Sequence, residues 1–145
     1  MKIKIQRIDK SLPLPRYETS GAVGFDLICR ENMTVKPREI ARIPANIIVA
    51  TPPGYMLMIV VRSSTPSKKG LILINGAGII DQDYCGPDDE IKIQVYNFTD
   101  KAVAVERGER IAQGIFVAVG RAEWQEVGAK DFSPIPSRGG FGTTG

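Results

Sequence analysis

An all-β fold is predicted by two observations. Helical periodicity is nearly absent, and short runs rich in Val and Ile recur between turn signals at the spacing of a sandwich or barrel. The first run, residues 2–8, alternates charge and bulk as a half-buried strand does. Runs at 23–29, 39–50 and 55–61 follow, and the first of these carries Asp26 inside otherwise apolar sequence. Pro52-Pro53-Gly54 separates the last two, with proline fixing φ and glycine permitting a positive one. One short helix fits Thr65–Lys69, with Ser64 or Thr65 as its cap and Pro66 in the first helical position. Strands at 71–74 and 90–97 come next. In the second, Ile91, Ile93 and Val95 share one face and Lys92, Gln94 and Tyr96 the other. Runs at 102–106, 110–119 and 123–127 complete the set, with a turn at Glu106-Arg107-Gly108-Glu109. Residues 1–136 are read as one domain, and the glycine-rich residues 137–145 as a mobile C-terminal lid.

A chain of 145 residues is long enough for one real hydrophobic core, and 43% hydrophobic with 24% charged residues is ordinary for a soluble protein. No apolar run approaches the roughly 20 residues of a membrane span, and the alternating N-terminus is unlike a signal peptide, so a cytoplasmic location is expected. The net charge of +3 is scattered, which argues against a dedicated nucleic-acid surface while leaving room for a local anion site. Cys29 and Cys85 stand far apart and read as small buried residues. The sequence contains no histidine, which excludes a Ser-His-Asp triad, a Cys-His pair and histidine-bound zinc. A hydrolase built from it would use a carboxylate base, and any metal would be a hard, oxygen-bound ion such as Mg²⁺.

Four segments carry groups suited to chemistry. The tail from Arg138 to Gly145 holds a guanidinium that can fork onto phosphate, a ring in Phe141 that can stack on a base, and glycines, Gly142 among them, that allow close approach. It reads equally as a disordered terminus. Asn75-Gly76-Ala77-Gly78-Ile79-Ile80-Asp81 resembles a tight hairpin feeding a strand, whose backbone and carboxamide could bond the edge of a planar heterocycle. Asp81 follows two bulky apolar residues, so partial desolvation and raised basicity are expected there, although aspartates also simply cap turns. Arg62-Ser63-Ser64 leaves a strand for the short helix and reads as an anion site or an ordinary Ser/Thr cap. A buried Asp26 needs a cationic partner, which an arginine would supply. Arg110-Ile111-Ala112-Gln113 alone reads as a solvated edge, and Trp124 as packing.

Taken in register, these segments resemble the five motifs of the homotrimeric deoxyuridine triphosphatases across nearly the whole chain. Gly21–Leu27 is similar to the first motif, Arg62-Ser63-Ser64 to the second, and Asn75 through Gly86 to the third; Gly108 to Gln113 and Arg138 to Gly145 are similar to the fourth and fifth. The resemblance implies a jelly-roll-like β-barrel, a homotrimer with active sites shared between subunits, and hydrolysis of dUTP to dUMP and pyrophosphate. It implies that Asp81 deprotonates a water for attack on the α-phosphorus and that Tyr84 underlies the deoxyribose. Asn75, Ile79 and Ile80 would read the uracil edge, with Lys92 near the nucleotide. Arg62, Ser63, Ser64 and Gln113 would hold phosphates; Arg138, Phe141 and Gly142 would close over the ligand. Asp26, Asp83 and Arg110 take supporting roles, Asp26 by orienting Arg62. One Mg²⁺ would be held through the phosphates and water.

Two departures from the family pattern stand out. Ser64 replaces the usual glycine, and the segment from Cys85 to Glu90 is longer than the usual link, so a bulge or widened turn is expected near the site mouth. The alternatives are a deoxycytidine triphosphate deaminase of the same fold and a non-catalytic nucleotide-binding regulator. The deaminase needs a carboxylate inside the strand at 90–97, where this chain has Gln94.

Overall fold

The computed structural model describes residues 1–128 and residue 131. Eleven strands and one helix follow in order: β1 (Ile5–Arg7), β2 (Phe25–Leu27), β3 (Met33–Val35), β4 (Ile40–Pro44), β5 (Ile47–Val49), β6 (Tyr55–Val61), α1 (Thr65–Lys69), β7 (Leu71–Leu73), β8 (Gly78–Ile80), β9 (Lys92–Asn97), β10 (Val103–Val105) and β11 (Ala112–Ala118). They form a four-stranded sheet ordered β2-β11-β6-β8, a three-stranded sheet β4-β9-β7, and the two-stranded pairs β1-β5 and β3-β10. Every pairing is antiparallel. The result is the expected jelly-roll-like, all-β architecture with one short helix.

Alternation builds the core. Ile91, Ile93 and Val95 are fully buried while Lys92, Gln94 and Tyr96 turn outward, as the period of two demands. Leu57 and Ile59 of β6 meet them from the four-stranded sheet, joined by Leu27, Leu71 and Ile111. Two glycines allow close packing of that sheet. A Cβ on Gly114 would lie 2.7 Å from the Phe25 ring, and one on Gly78 would lie 3.1 Å from Ile59 Cβ.

The run at 39–50 is two strands, because Asn46 takes a left-handed φ of 66° between them. Its carboxamide accepts from Asp9 N–H at 2.7 Å and donates to the Asp9 carbonyl at 3.1 Å, which compensates for the strained backbone. Met33–Val35 forms a strand that three residues are too short to announce by periodicity; it exists because β10 pairs with it. Residues 123–127 form no strand, and Trp124, expected in packing, is 94% exposed. Cys29 is buried as expected, with its thiol pushed up to about 12 chiefly by that burial, but Cys85 is exposed on the loop after Tyr84. The 137–145 segment lies outside the described residues. Among the described residues, no helix is long and apolar enough to cross a membrane.

The helix ends at Gly70 in the left-handed conformation, φ 68°, where its N–H donates to Pro66 O at 2.9 Å. A Cβ at Gly70 would sit 2.1 Å from Thr99 Cγ2, and Thr99 is itself fixed by two hydrogen bonds to Asn97 Oδ1. Gly70→Ala is therefore expected to destabilise the fold by about 2 kcal/mol or more, combining positive φ with a clash. Chemical denaturation checks this, and an unchanged midpoint would contradict it.

Candidate active site

Two polar clusters occupy the four-stranded sheet and its neighbours. The first is a cationic cradle at the C-terminal end of β6. Gln113 of β11 stands opposite Asp26 on one side and Val60 on the other, which brings three sequence segments into one row. A Cβ on Gly24 would meet Gln113 Oε1 at 2.8 Å, so glycine there gives that carboxamide its place. Arg62 follows directly, and its N–H donates to Ile111 O at 3.0 Å. The buried Asp26 carboxylate lies 3.0 Å from Arg62 Nε through Oδ1 and 3.2 Å from Arg110 Nη1 through Oδ2. Oδ2 accepts no aligned hydrogen bond, so its attraction to Arg110 is coulombic. Arg110 also pairs with Glu18 at 2.5 Å; hydrogen bonding from Arg16, then these arginine charges, holds the Glu18 carboxyl below its ordinary range.

A cavity of about 340 Å³ opens here, lined by Arg62, Ser64, Lys68, Lys69 and Arg110 among others. Lys68 and Lys69 were not anticipated; the basic last turn of α1 was the available signal. Ser64 occupies the N-cap position, yet neither expected cap operates. Ser64 makes no side-chain cap bond, and Thr65 Oγ1 instead donates to Ile111 O at 2.7 Å, which ties the helix to the strand entry. Ser63 is exposed beside this cavity.

The second cluster surrounds the hairpin. Gly76, at φ 73°, turns the chain after β7, and Ala77 N–H donates to Asn75 O at 2.8 Å. A cavity of about 350 Å³ is lined by Asn75, Gly78, Ile79, Ile80, Tyr84 and Lys92, together with Arg42 and Gln94. Asn75, Ile79, Ile80 and Tyr84 of this segment, with Lys92 of β9, meet around one space, whereas Asp81 and Asp83 do not line it. Gln94 could have been inferred from its sharing a face with Lys92; Arg42 required the β4–β9 register. Ile79 also walls a second cavity, about 540 Å³, that holds Asp81, Asp83 and Arg121.

Asp81 and Asp83 are exposed, so the desolvation expected for Asp81 is not supplied by the described residues. The longer segment after Tyr84 is a widened turn rather than a bulge. Asp89 Oδ2 accepts from Gly86 N–H at 2.6 Å, and Asp89 N–H donates to Gly86 O at 3.2 Å. Buried Glu90 anchors its end: Arg30 grips both carboxylate oxygens at 2.8 and 2.9 Å, and Asn46 N–H donates at 2.9 Å. Tyr84 Oη donates to the Glu90 carbonyl at 3.3 Å, which sets the ring against this anchor. Arg138, Phe141 and Gly142 lie outside the described residues.

Asp81 and Arg62 stand toward opposite ends of β6, with the hairpin cavity between them beside Ile59. The β6–β8 register puts Leu57 opposite Ile80, which brings Asp81 level with Met56, and both residues line the same cavity. Arg62 lies six residues further along, roughly 20 Å at the rise of a strand.

An all-β, antiparallel fold with two separate polar cavities beside its four-stranded sheet defines the class of protein at hand. Within it, the dUTPase family model matches residues 10–145. A deoxyuridine 5'-triphosphate nucleotidohydrolase of Hydrogenobaculum sp. (strain Y04AAS1) is 41% identical, with the match covering 100% of this chain and 99% of that protein. The protein of the same name from Helicobacter pylori (strain P12) is 38% identical, over 100% of this chain and 97% of its own length. The crystal structure of dUTPase from Streptococcus mutans superposes with a TM-score of 0.77 at 36% identity, covering 83% of this chain and 98% of that one. The chain belongs to the dUTPase family.

Asp26→Asn removes the anion shared by two arginines. Both arginine side chains are about two-fifths exposed, at 37% and 41%, so water solvates part of the released charge. The expected loss is about 1–2 kcal/mol, below that of a fully buried pair. Urea denaturation reads it, and wild-type stability in the variant would show that the carboxylate is not holding the arginines.

Proposed function

We propose that the chain hydrolyses dUTP to dUMP and pyrophosphate, limiting uracil entry into DNA and supplying dUMP for thymidylate synthesis, in sites completed by neighbouring subunits of a homotrimer. The observation that carries this reading is the position of Asp81 immediately after β8. There it adjoins the ring-binding cavity through Ile79, on the strand whose backbone and preceding Asn75 can read a pyrimidine edge.

In this reading the uracil edge bonds to Asn75 and the backbone through Ile80, with Lys92 near the nucleotide. The Tyr84 ring lies under the deoxyribose and leaves no room for a 2′-hydroxyl. Asp81 accepts a proton from a water whose oxygen attacks the α-phosphorus. The bond from that phosphorus to the α,β-bridging oxygen breaks, and pyrophosphate leaves with the electron pair. Holding water and phosphorus in line makes the attack effectively intramolecular, a large part of the barrier in phosphoryl chemistry.

Arg62, Ser63, Ser64 and Gln113 hold the phosphates, with Asp26 and Arg110 fixing Arg62. The separation of roughly 20 Å along β6 between Asp81 and Arg62 supports a cradle for Asp81 supplied by another subunit. Exposed Trp124, Tyr17 and Ile5 are surfaces that assembly would cover. Contact with a neighbour would also desolvate Asp81. The segment 137–145 acts as a lid, with Arg138 on the terminal phosphate, Phe141 stacked on uracil and Gly142 permitting the approach.

Among the described residues no three His, Cys, Asp or Glu side chains gather into an ion cage. In this reading Mg²⁺ is an ion carried by the triphosphate and its waters, where it would offset phosphate charge. A cytoplasmic location fits the dNTP pool that such an enzyme would serve. The deaminase alternative is disfavoured because Glu90 is buried and engaged by Arg30, while the cavity wall carries Gln94.

Asp81→Asn is expected to reduce pyrophosphate release from dUTP by at least about 1,000-fold while leaving nucleotide affinity within a few-fold, since the amide keeps the shape and loses the base. Single-turnover assays and calorimetric titration with a non-hydrolysable analogue read the two quantities. Turnover equal to wild type would remove Asp81 from the mechanism.

A further inference from the structure

The ring-binding cavity has one wall made by neither the hairpin nor Tyr84. It consists of Lys92 and Gln94 on the outward face of β9 and Arg42 on β4. Arg42 and Gln94 are direct cross-strand partners, and Arg42 Nε donates to Gln94 Oε1 at 3.0 Å. This contact decides the orientation of the glutamine amide. A guanidinium has five N–H donors and no acceptor, so only the carbonyl end of Gln94 can face it. The free end is then the NH₂ group. Lys92 adds an ammonium, which also only donates.

We infer that Gln94, oriented by Arg42, is a specificity-determining residue that makes this wall a surface of hydrogen-bond donors and so selects a pyrimidine edge bearing a carbonyl over one bearing an amino group. The inference rests on the reading that the cavity holds the base. A uracil carbonyl accepts from the wall. The amino group of cytosine meets donors only, and one set of N–H groups is left unpaired once the ligand covers the site. Unpaired buried donors of this kind translate into roughly 10- to 100-fold in discrimination. Gln94 touches the ligand in this account, whereas Arg42 acts through Gln94 and is a positioning residue. Arg42 is exposed in the free chain, which leaves its conformation to be held by the glutamine and by the covering ligand.

The test compares dUTP with dCTP as kcat/KM ratios, and dUMP with dCMP as Kd ratios, in wild type, Gln94→Glu, Gln94→Leu, Arg42→Ala and Arg42→Lys. Gln94→Glu turns the free end into an acceptor, so the preference for the uracil nucleotide should fall at least about 10-fold. Gln94→Leu should lower it less, by removing the donor without adding an acceptor. Arg42→Ala frees the amide to rotate and should lower the ratio about threefold or more. Arg42→Lys, which still only donates, should restore most of it; a merely structural role for Arg42 would not follow this pattern. Ratios within twofold of wild type in both Gln94 variants would overturn the inference, and the monophosphate binding ratio decides this even for a variant without turnover. A wild-type chain that releases no pyrophosphate from dUTP would instead overturn the hydrolase reading, so the two failures are distinguishable.

Discussion

Strand β6 sets the distance on which the rest of the molecule depends. It is seven residues long, pairs along its whole length with β11, and receives β8 on its other side. Burial of Leu57 and Ile59 fixes its face, because slipping by one residue would turn both outward. Close packing at Gly78 and Gly114 holds its neighbours tightly against it. One end of this rigid element delivers Arg62 into the cationic cradle, and the other stands level with Asp81. In the proposed reading, this separation along β6 is why a site that uses both groups draws them from two chains.

Electrostatics follows the same division. The cradle gathers Arg62, Arg110 and Lys68 beside Lys69, whose ammonium is paired with Glu109 at 2.7 Å, in a protein of net charge +3, so local placement rather than overall charge is what would favour an anion there. Asp26 allows it. A carboxylate between two guanidinium groups relieves their mutual repulsion and fixes their planes, yet leaves enough of each side chain exposed to receive further anions. At the other end the surface carries acidic Asp81 and Asp83 on exposed backbone. Assembly would set the acidic rim of one subunit beside the basic cradle of another.

Much of this was legible in the sequence because period-two alternation and turn chemistry are local. Residues 55–61 form a strand over the expected range, Thr65–Lys69 is the helix, and the glycines at 54 and 108 take positive φ. The buried Asp26 with an arginine partner followed from the cost of an unpaired charge. What was not legible depended on distant partners. Met33–Val35 becomes a strand through β10, Arg42 enters the cavity through the β4–β9 register, and Asn46 breaks a β-branched run by bonding Asp9. Residues 123–127 were expected as a strand and Trp124 in packing; the segment forms no strand and Trp124 is exposed, because no partner strand lies beside it among the described residues.

Mixing two complementary variants tests the central claim of divided sites most directly. Asp81→Asn and Arg62→Ala chains, each assembled alone, should show almost no dUTP hydrolysis. Unfolded together in equal amounts and co-assembled at random, they should recover about one quarter of wild-type activity, since that fraction of sites pairs an intact Asp81 with an intact Arg62 from another subunit. If both groups served one site from the same chain, every site in the mixture would lack one of them. Absence of recovery on mixing would therefore contradict the account.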